Sequence, residues 1–301
     1  MSSSINKYCY IICRYLPPFF DYKYRIRYRE QEETASISEI KHPSARECLA
    51  FLNLDEGVEI QHNADVPAMS GLGSSSAFTV GLLNSLYALR GEAVPKKKLA
   101  LDAIHVEQVR IGESVGSQDQ TAAAYGGFNK IEFGGAEEIK VTPLAVNPAV
   151  VGELEGRLML FFTGFSRNAS GVAAEQIRST PQKRVELKAM HAMVAEAERI
   201  IGAGTEQLDD FGRLLNEGWR LKRSLTSKIT TPFIDNIYET AIKAGALGGK
   251  LLGAGGGGFM LLFVPPERQA KVKEALGGLL HVPFKFDKLG SQVIYQMSTE
   301  V

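Results

Sequence analysis

Apolar residues recur along this chain with two periods that trade places several times. INKYCYIICRY at 5–15 is rich in β-branched and aromatic types and predicts a strand, which Pro17 and Pro18 end. RIRYRE at 25–30 alternates and predicts a second strand. HPSARECLAFLNL carries apolar residues at helical spacing, and GVEIQHNADVP returns to the two-residue period. FTVGLLNSLYAL predicts a helix over about 74–89, ended by Gly91, and Pro95 suits the first turn of the next, KKKLALDAIHVEQVRIG, up to about Gly112. FNKIEF with EEIKVTPL predicts a hairpin, and RLMLFFTG a strand that closes a first domain.

From about 168 the pattern changes to long helices: SGVAAEQIR, KRVELKAMHAMVAEAERII, LDDFGRLLNEGWRLKRSL and PFIDNIYETAIKAG. The last stretch runs KLLGA, a turn, FMLLFV, a helix in ERQAKVKEALGGL, then strands PFKFD and QVIYQ, which is a sheet covered by helices. The chain therefore reads as α+β in two domains, 1–165 and 166–301, and Trp219 in LLNEGWRLK reads as helix core.

Composition narrows the function classes. Of 301 residues 45% are hydrophobic and 23% charged, ordinary for a globular protein, and the net charge of zero offers no attraction to nucleic acid or to an anionic membrane. Any phosphate binding must be local. Cys9, Cys13 and Cys48 give neither a disulfide framework nor a paired C-x-x-C zinc motif, which suits a reducing cytoplasm. Cys9 and Cys13 read as buried strand thiols. The five histidines, His42, His62, His105, His191 and His281, have no ligand spacing, and no apolar stretch reaches membrane-spanning length.

Three segments carry the candidate chemistry. PAMSGLGSSSA at 67–77 opens directly onto the 74–89 helix, so Gly71 and Gly73 let the backbone turn while Ser70, Leu72, Ser74, Ser75 and Ser76 bring hydroxyls and free N–H groups to a helix start. The helix dipole adds partial positive charge there, which favours phosphates. No lysine follows the glycines, so this is not the common P-loop. Taken alone, the segment reads first as a serine- and glycine-rich turn capping a helix. The second segment, GSQDQTAAAYGG at 116–127, places Asp119 after a glycine turn, where an N-cap aspartate is the plainer reading. The third, GGKLLGAGGGGFMLLFVPP, sets Gly255–Gly258 between two apolar runs, as for close passage of a backbone or ligand, or for a loose hairpin turn.

The order of the three segments resembles the GHMP kinases, the superfamily named for galactokinase, homoserine, mevalonate and phosphomevalonate kinases. SGLGSSSA looks like its second motif and KLLGAGGGGF like its third. SINKYCYI, CRYLPPFF, IKHPSARECLAFL, GSQDQTAAAYGGFN and FFTGFSRNAS are similar to the bacterial branch that acts on D-glycero-D-manno-heptose 7-phosphate.

The resemblance implies a ribosomal protein S5 domain 2-like N-terminal domain, a ferredoxin-like C-terminal domain, and a cytoplasmic kinase using ATP and Mg²⁺. Its acceptor would be the sugar's anomeric hydroxyl, with another sugar (hexose or fucose) or an impaired nucleotide-binding homologue as alternatives. It marks Ser70–Ser76 for the phosphates, Ser75 as the Mg²⁺-linked hydroxyl and Asp119 as the catalytic group that accepts or orients the acceptor proton. Glu107 is marked as the Mg²⁺ carboxylate, although by itself it could be a solvated helix charge. Thr163, Gly164 and Arg167 are candidates for the sugar phosphate, Arg167 being equally an exposed arginine after a strand. Gly253, Gly255, Gly256 and Gly257 would bring the third-motif backbone to substrate. The expected partners are ATP and a sugar phosphate, without nucleic acid or membrane, and a homo-oligomer is left open. Family members begin with a motif of the type PLRISFFGGGTD, and this chain starts at MSSSINKYCYI, just beyond it. The expectation is an N-terminally truncated fold that binds nucleotide and phosphorylates poorly.

Overall fold

The structure, a computed structural model, describes residues 1–134, 138–164 and 169–297. Its contacts divide the chain into two compact units: 1–68, 73–143 and 286–301 form unit 1, and 69–72 with 144–285 form unit 2.

Unit 1 runs Ser2–Ile5 (β1), Cys9–Tyr15 (β2), Tyr24–Arg27 (β3), Gln31–Thr34 (β4), Pro43–Phe51 (α1), Val58–Ala64 (β5), Ser74–Leu89 (α2), Lys96–His105 (α3), Gln118–Tyr125 (α4), Phe128–Phe133 (β6) and Ile139–Pro143 (β7). One sheet has the order β2-β5-β3-β4, with β3 parallel to β5 and the other pairs antiparallel. Alternation decides its faces: Tyr24 and Ile26 of β3 point into the core while Arg25 and Arg27 do not. α2 is apolar almost all round and is buried accordingly, packing on β2, α3 and α4. Phe78, Leu82, Leu83 and Leu86 join Ile26, Leu49 and Ile60 in one core, each buried side chain contributing roughly 1.5–3 kcal/mol of transfer free energy.

Two predicted strands divide. Residues 5–15 do not form one strand, because the chain breaks at Asn6–Tyr8 and β1 and β2 enter different sheets. RIRYRE yields β3 and then a turn in which Tyr28 N–H donates to the Glu30 carbonyl at 2.8 Å, before β4. The helix expected to reach Gly112 changes pitch: after α3, residues Val106–Ile111 form a π-helical turn, which Gly112 ends with φ 77°. Cys9 and Cys13 are half-buried rather than buried, on the β2 face that packs against the core, and burial pushes both thiols up to about 12.

Unit 2 holds Pro148–Gly156 (α5), Leu158–Gly164 (β8), Ala169–Ser179 (α6), Arg184–Gly202 (α7), Leu208–Leu225 (α8), Pro232–Ala244 (α9), Gly248–Leu251 (β9), Gly258–Phe263 (β10), Gln269–Ala275 (α10) and Leu280–His281 (β11). Its sheet is fully antiparallel in the order β11-β8-β10-β9. Helices follow the first and third of these strands in chain order, which is the split β-α-β arrangement of a ferredoxin-like domain. Trp219 of α8 is buried with Phe161, Tyr238 and Met260, as expected of helix core. α5 was not anticipated, although Asn147 caps it by accepting from Ala149 N–H at 2.9 Å and Pro148 occupies its first turn.

RLMLFFTG does not close the first domain, because β8 pairs with β10 and β11; the division falls after Pro143 rather than at 165. Of PFKFD only Phe286–Asp287 (β12) forms a strand, and it returns to unit 1 to give the sheet order β12-β1-β6-β7. QVIYQ forms no strand: residues 292–296 have no strand partner among the described residues, Gln296 Nε2 donates to the Ala88 carbonyl at 2.7 Å, and Ile294 is 84% and Tyr295 78% exposed.

Candidate functional site

The loop at 67–77 belongs to both units, with Met69–Leu72 in unit 2 and Gly73 onward in unit 1. In unit 1, Gly73 takes φ 70° at the start of α2 and, as its N-cap residue, brings no capping side chain of its own. The first turn of this 16-residue helix carries the partial positive charge of its dipole. Asp119, in the first turn of α4, lies directly against that turn: a methyl group on Gly73 would sit 3.2 Å from its Cγ and 3.3 Å from its Oδ2. Gly73 is required both by its left-handed backbone and by this approach.

Behind the loop is a buried polar cluster. Glu107, in the π-helical turn, is 1% exposed, and its Oε2 accepts from Ser76 Oγ at 2.9 Å and from Gln120 Nε2. Glu107 Oε1 and Gln120 Oε1 are buried with no hydrogen-bond partner. A carboxylate oxygen stripped of water and left unpaired costs several kcal/mol, so Glu107 Oε1 is a candidate for a cation or a donor that completes it. Hard oxygen ligands in small number suit Mg²⁺, which retains several waters. The negative potential is also felt at Glu113, whose carboxyl is raised by burial and by the nearby Glu107 charge. Among the described residues, no group of three or more His, Cys, Asp or Glu side chains could hold a metal.

The hydroxyl that reaches Glu107 is Ser76, not Ser75. Ser75 is exposed, with its carbonyl accepting from Thr79 Oγ1 at 3.3 Å, and Ser74 is half-buried. The signal for Ser76 was helical spacing, since it shares a stripe with the buried Val80, Leu83 and Tyr87. Gln120, next to Asp119, was also overlooked; a buried amide has no mark in sequence that separates it from an exposed one.

In unit 2 the remaining loop residues meet the third motif backbone to backbone. Ser70 is fully buried, and a methyl on Gly258 would lie 2.2 Å from its carbonyl oxygen. A methyl on Gly71 would lie 2.7 Å from the Leu252 carbonyl oxygen, and one on Gly253 would lie 2.6 Å from Gly71 Cα. Thr163 Oγ1 donates to the Gly258 carbonyl at 3.0 Å, and Gly164 pairs with Gly258 across β8 and β10. Gly256 N–H donates to the Ile229 carbonyl at 2.9 Å, and Gly255 packs on the same residue. Arg167 lies outside the described residues. No helix among the described residues is long and apolar enough to cross a membrane.

The protein is thus an α+β protein that carries a glycine- and serine-rich loop at a helix start, a buried oxygen cluster in unit 1 and a glycine-rich turn on the ferredoxin-like sheet of unit 2. The sequence matches the GHMP kinases N terminal domain over residues 41–127 and the GHMP kinases C terminal domain over 193–280. The chain belongs to the GHMP kinases. It is 34% identical over 216 residues to D-glycero-alpha-D-manno-heptose 7-phosphate kinase of Campylobacter jejuni, covering 71% of this chain and 63% of that protein. It is 30% identical over 222 residues to the bifunctional fucokinase/GDP-fucose pyrophosphorylase of Arabidopsis thaliana, covering 71% of this chain and 21% of that one. The chain thus spans less than two thirds of either relative. The crystal structure of a D-glycero-D-manno-heptose 1-phosphate kinase from Bacteriodes thetaiotaomicron superposes with a TM-score of 0.69 at 25% identity, covering 98% of this chain and 90% of that one.

Proposed function

We propose that this protein is a cytoplasmic, ATP- and Mg²⁺-dependent sugar kinase that phosphorylates the anomeric hydroxyl of D-glycero-D-manno-heptose 7-phosphate. The observation that carries the reading is Asp119 set against Gly73 at the start of α2, because it puts a carboxylate beside a glycine-rich loop at a helix N-terminus. In this reading Ser70–Ser76 position the donor phosphates through backbone N–H groups and hydroxyls. Glu107, with Ser76 and the loop hydroxyl of Ser75, holds the metal, which when bound neutralises charge on the transferring phosphoryl group. The acceptor oxygen forms its bond to the γ-phosphorus as the bond to ADP breaks, and Asp119 orients the acceptor hydroxyl and takes its proton late. Thr163, Gly164, Arg167, Gly255 and Gly256 serve the sugar phosphate.

The heptose assignment is supported by the 34% identity to the Campylobacter enzyme; the plant fucokinase at 30% supports fucose as the second reading. The test is Asp119→Asn, with ADP release measured on heptose 7-phosphate and on fucose, and Mg·ATP binding measured by calorimetry. Turnover should fall by about 10²-fold or more with ATP affinity near the parent's, as for a group acting on the acceptor. Parental turnover in the variant removes Asp119 from the reaction. Faster turnover of fucose than of heptose 7-phosphate overturns the substrate and leaves the kinase. A parent that binds Mg·ATP but phosphorylates neither sugar fits the impaired homologue instead.

A further inference from the structure

The turn from Gly253 to Gly258 has one methyl group, on Ala254, and otherwise no side chains, so its shape is set by whatever holds its peptide groups. Unit 2 holds them from several sides. Lys222 Nζ, on α8, donates to the Gly253 carbonyl at 2.6 Å and reaches that of Leu251 at 3.4 Å. Gln176 Nε2, on α6, donates to the Ala254 carbonyl at 2.7 Å, and Thr163 holds the Gly258 carbonyl at 3.0 Å. The Ile229 segment, which accepts from Gly256 N–H, is tied to α6 by Thr226 Oγ1 donating to Glu175 at 2.7 Å and by Lys228 against the same carboxylate at 2.5 Å.

Lys222 differs from the other clamps in two respects. It brings a charge, and charge-assisted hydrogen bonds are stronger than neutral ones. It also acts on the residue against which the phosphate loop rests, since a methyl on Gly253 would lie 2.6 Å from Gly71 Cα. Because the peptide unit is planar and trans, fixing the Gly253 carbonyl on the ammonium turns the Ala254 N–H to the opposite side of the chain. One lysine thereby sets both the orientation of the turn and the seat of Gly71.

We propose that Lys222 is a positioning residue for nucleotide binding: by capping the Gly253 carbonyl it fixes the backbone on which Gly71, at the head of the phosphate loop, is seated. The inference rests on the phosphate-binding reading of that loop. It is tested with Lys222→Met and Lys222→Arg, reading Mg·ATP affinity by calorimetry and amide hydrogen exchange over 253–258 in the nucleotide-free protein. Lys222→Met should weaken Mg·ATP binding by about ten-fold, the scale of one lost charge-assisted bond, and speed exchange in the turn, while Lys222→Arg restores most of both. Faster exchange with unchanged affinity would reduce Lys222 to a structural tie and overturn the proposal, as would unchanged exchange. If Lys222→Met no longer melts cooperatively, Lys222→Gln takes its place, and parental affinity in that variant shows the charge to be idle. A parent protein that binds no Mg·ATP defeats the phosphate-binding reading itself, an outcome separate from any effect of Lys222.

Discussion

The candidate residues of unit 1 and those of unit 2 are built from different material. In unit 1 the groups are side chains, with Asp119 against the Gly73 turn and Glu107, Ser76 and Gln120 sharing hydrogen bonds beneath it. In unit 2 they are peptide groups, with Ser70 and Gly71 laid against Leu252, Gly253 and Gly258 at distances that admit no Cβ. The difference predicts opposite vulnerabilities. Removing an atom from the unit 1 cluster should cost chemistry and spare the fold, whereas adding one to the unit 2 turn should cost the fold first.

The largest effect is expected from Gly258→Ala. Its methyl would meet the Ser70 carbonyl oxygen at 2.2 Å, at a φ of 114° that side chains rarely adopt, and only backbone movement can relieve it. Denaturant unfolding should show unit 2 destabilised by roughly 3 kcal/mol or more. Parental stability would mean that the two backbones are not in contact, and the contrast between the units would collapse.

Glu107→Gln should do the reverse. It keeps the shape and removes a buried charge with one unpaired oxygen, so thermal stability should stay level or rise slightly, as when buried unpaired charges are neutralised. The Mg²⁺ enhancement of ATP binding should fall by about ten-fold, measured by titrating ATP with and without the metal. A marked loss of stability with the metal response intact would make Glu107 a structural residue.

The smallest effect is on the acid side. Burial holds His42 and His62 below the ordinary histidine value of 6.5, and both rings pack on Phe78 in unit 1. Unfolding lets them bind protons more readily, so their contribution is fully present above about 6.5 and is lost as pH falls through the lower folded values. His42 also caps α1 by accepting from Ala45 N–H at 3.3 Å, a bond that the protonated ring loses. Unit 2 has His281 lowered by burial and by Lys273. Hydrogen exchange at pH 7 and pH 5.5 should therefore show unit 1 loosening more than unit 2, and equal loosening would remove the histidines from the comparison.

What could be read from sequence follows the same division. α2 was legible because its apolar run is long and its glycine-rich start has few other uses, and the glycines of the third motif were legible because nothing else fits where backbones touch. Pairing partners were not. β-Branched and aromatic content marks QVIYQ as a strand, but a strand needs a neighbour, and those residues find no strand partner among the described residues while Ile294 and Tyr295 face solvent. The same content joined β1 to β2, although the break at Asn6–Tyr8 sends them to separate sheets. The contact of Ser76 with Glu107 was not legible either, because Ser74, Ser75 and Ser76 look alike in sequence and a turn of 3.6 residues decides which of them faces inward.

The return of β12 to unit 1 has a consequence for biogenesis. β1 is translated well before one of its two partners, Phe286–Asp287, which lies far downstream in the chain. Its other neighbour, β6, emerges midway, and all of 144–285 is translated before the sheet can be completed. At ordinary elongation rates of about 5–20 residues per second, that edge of the sheet stays open for several seconds or more. During that interval the nascent chain presents an unpaired strand, so a chaperone or a rapidly folding insert has more to protect here than in a protein whose domains are encoded one after the other.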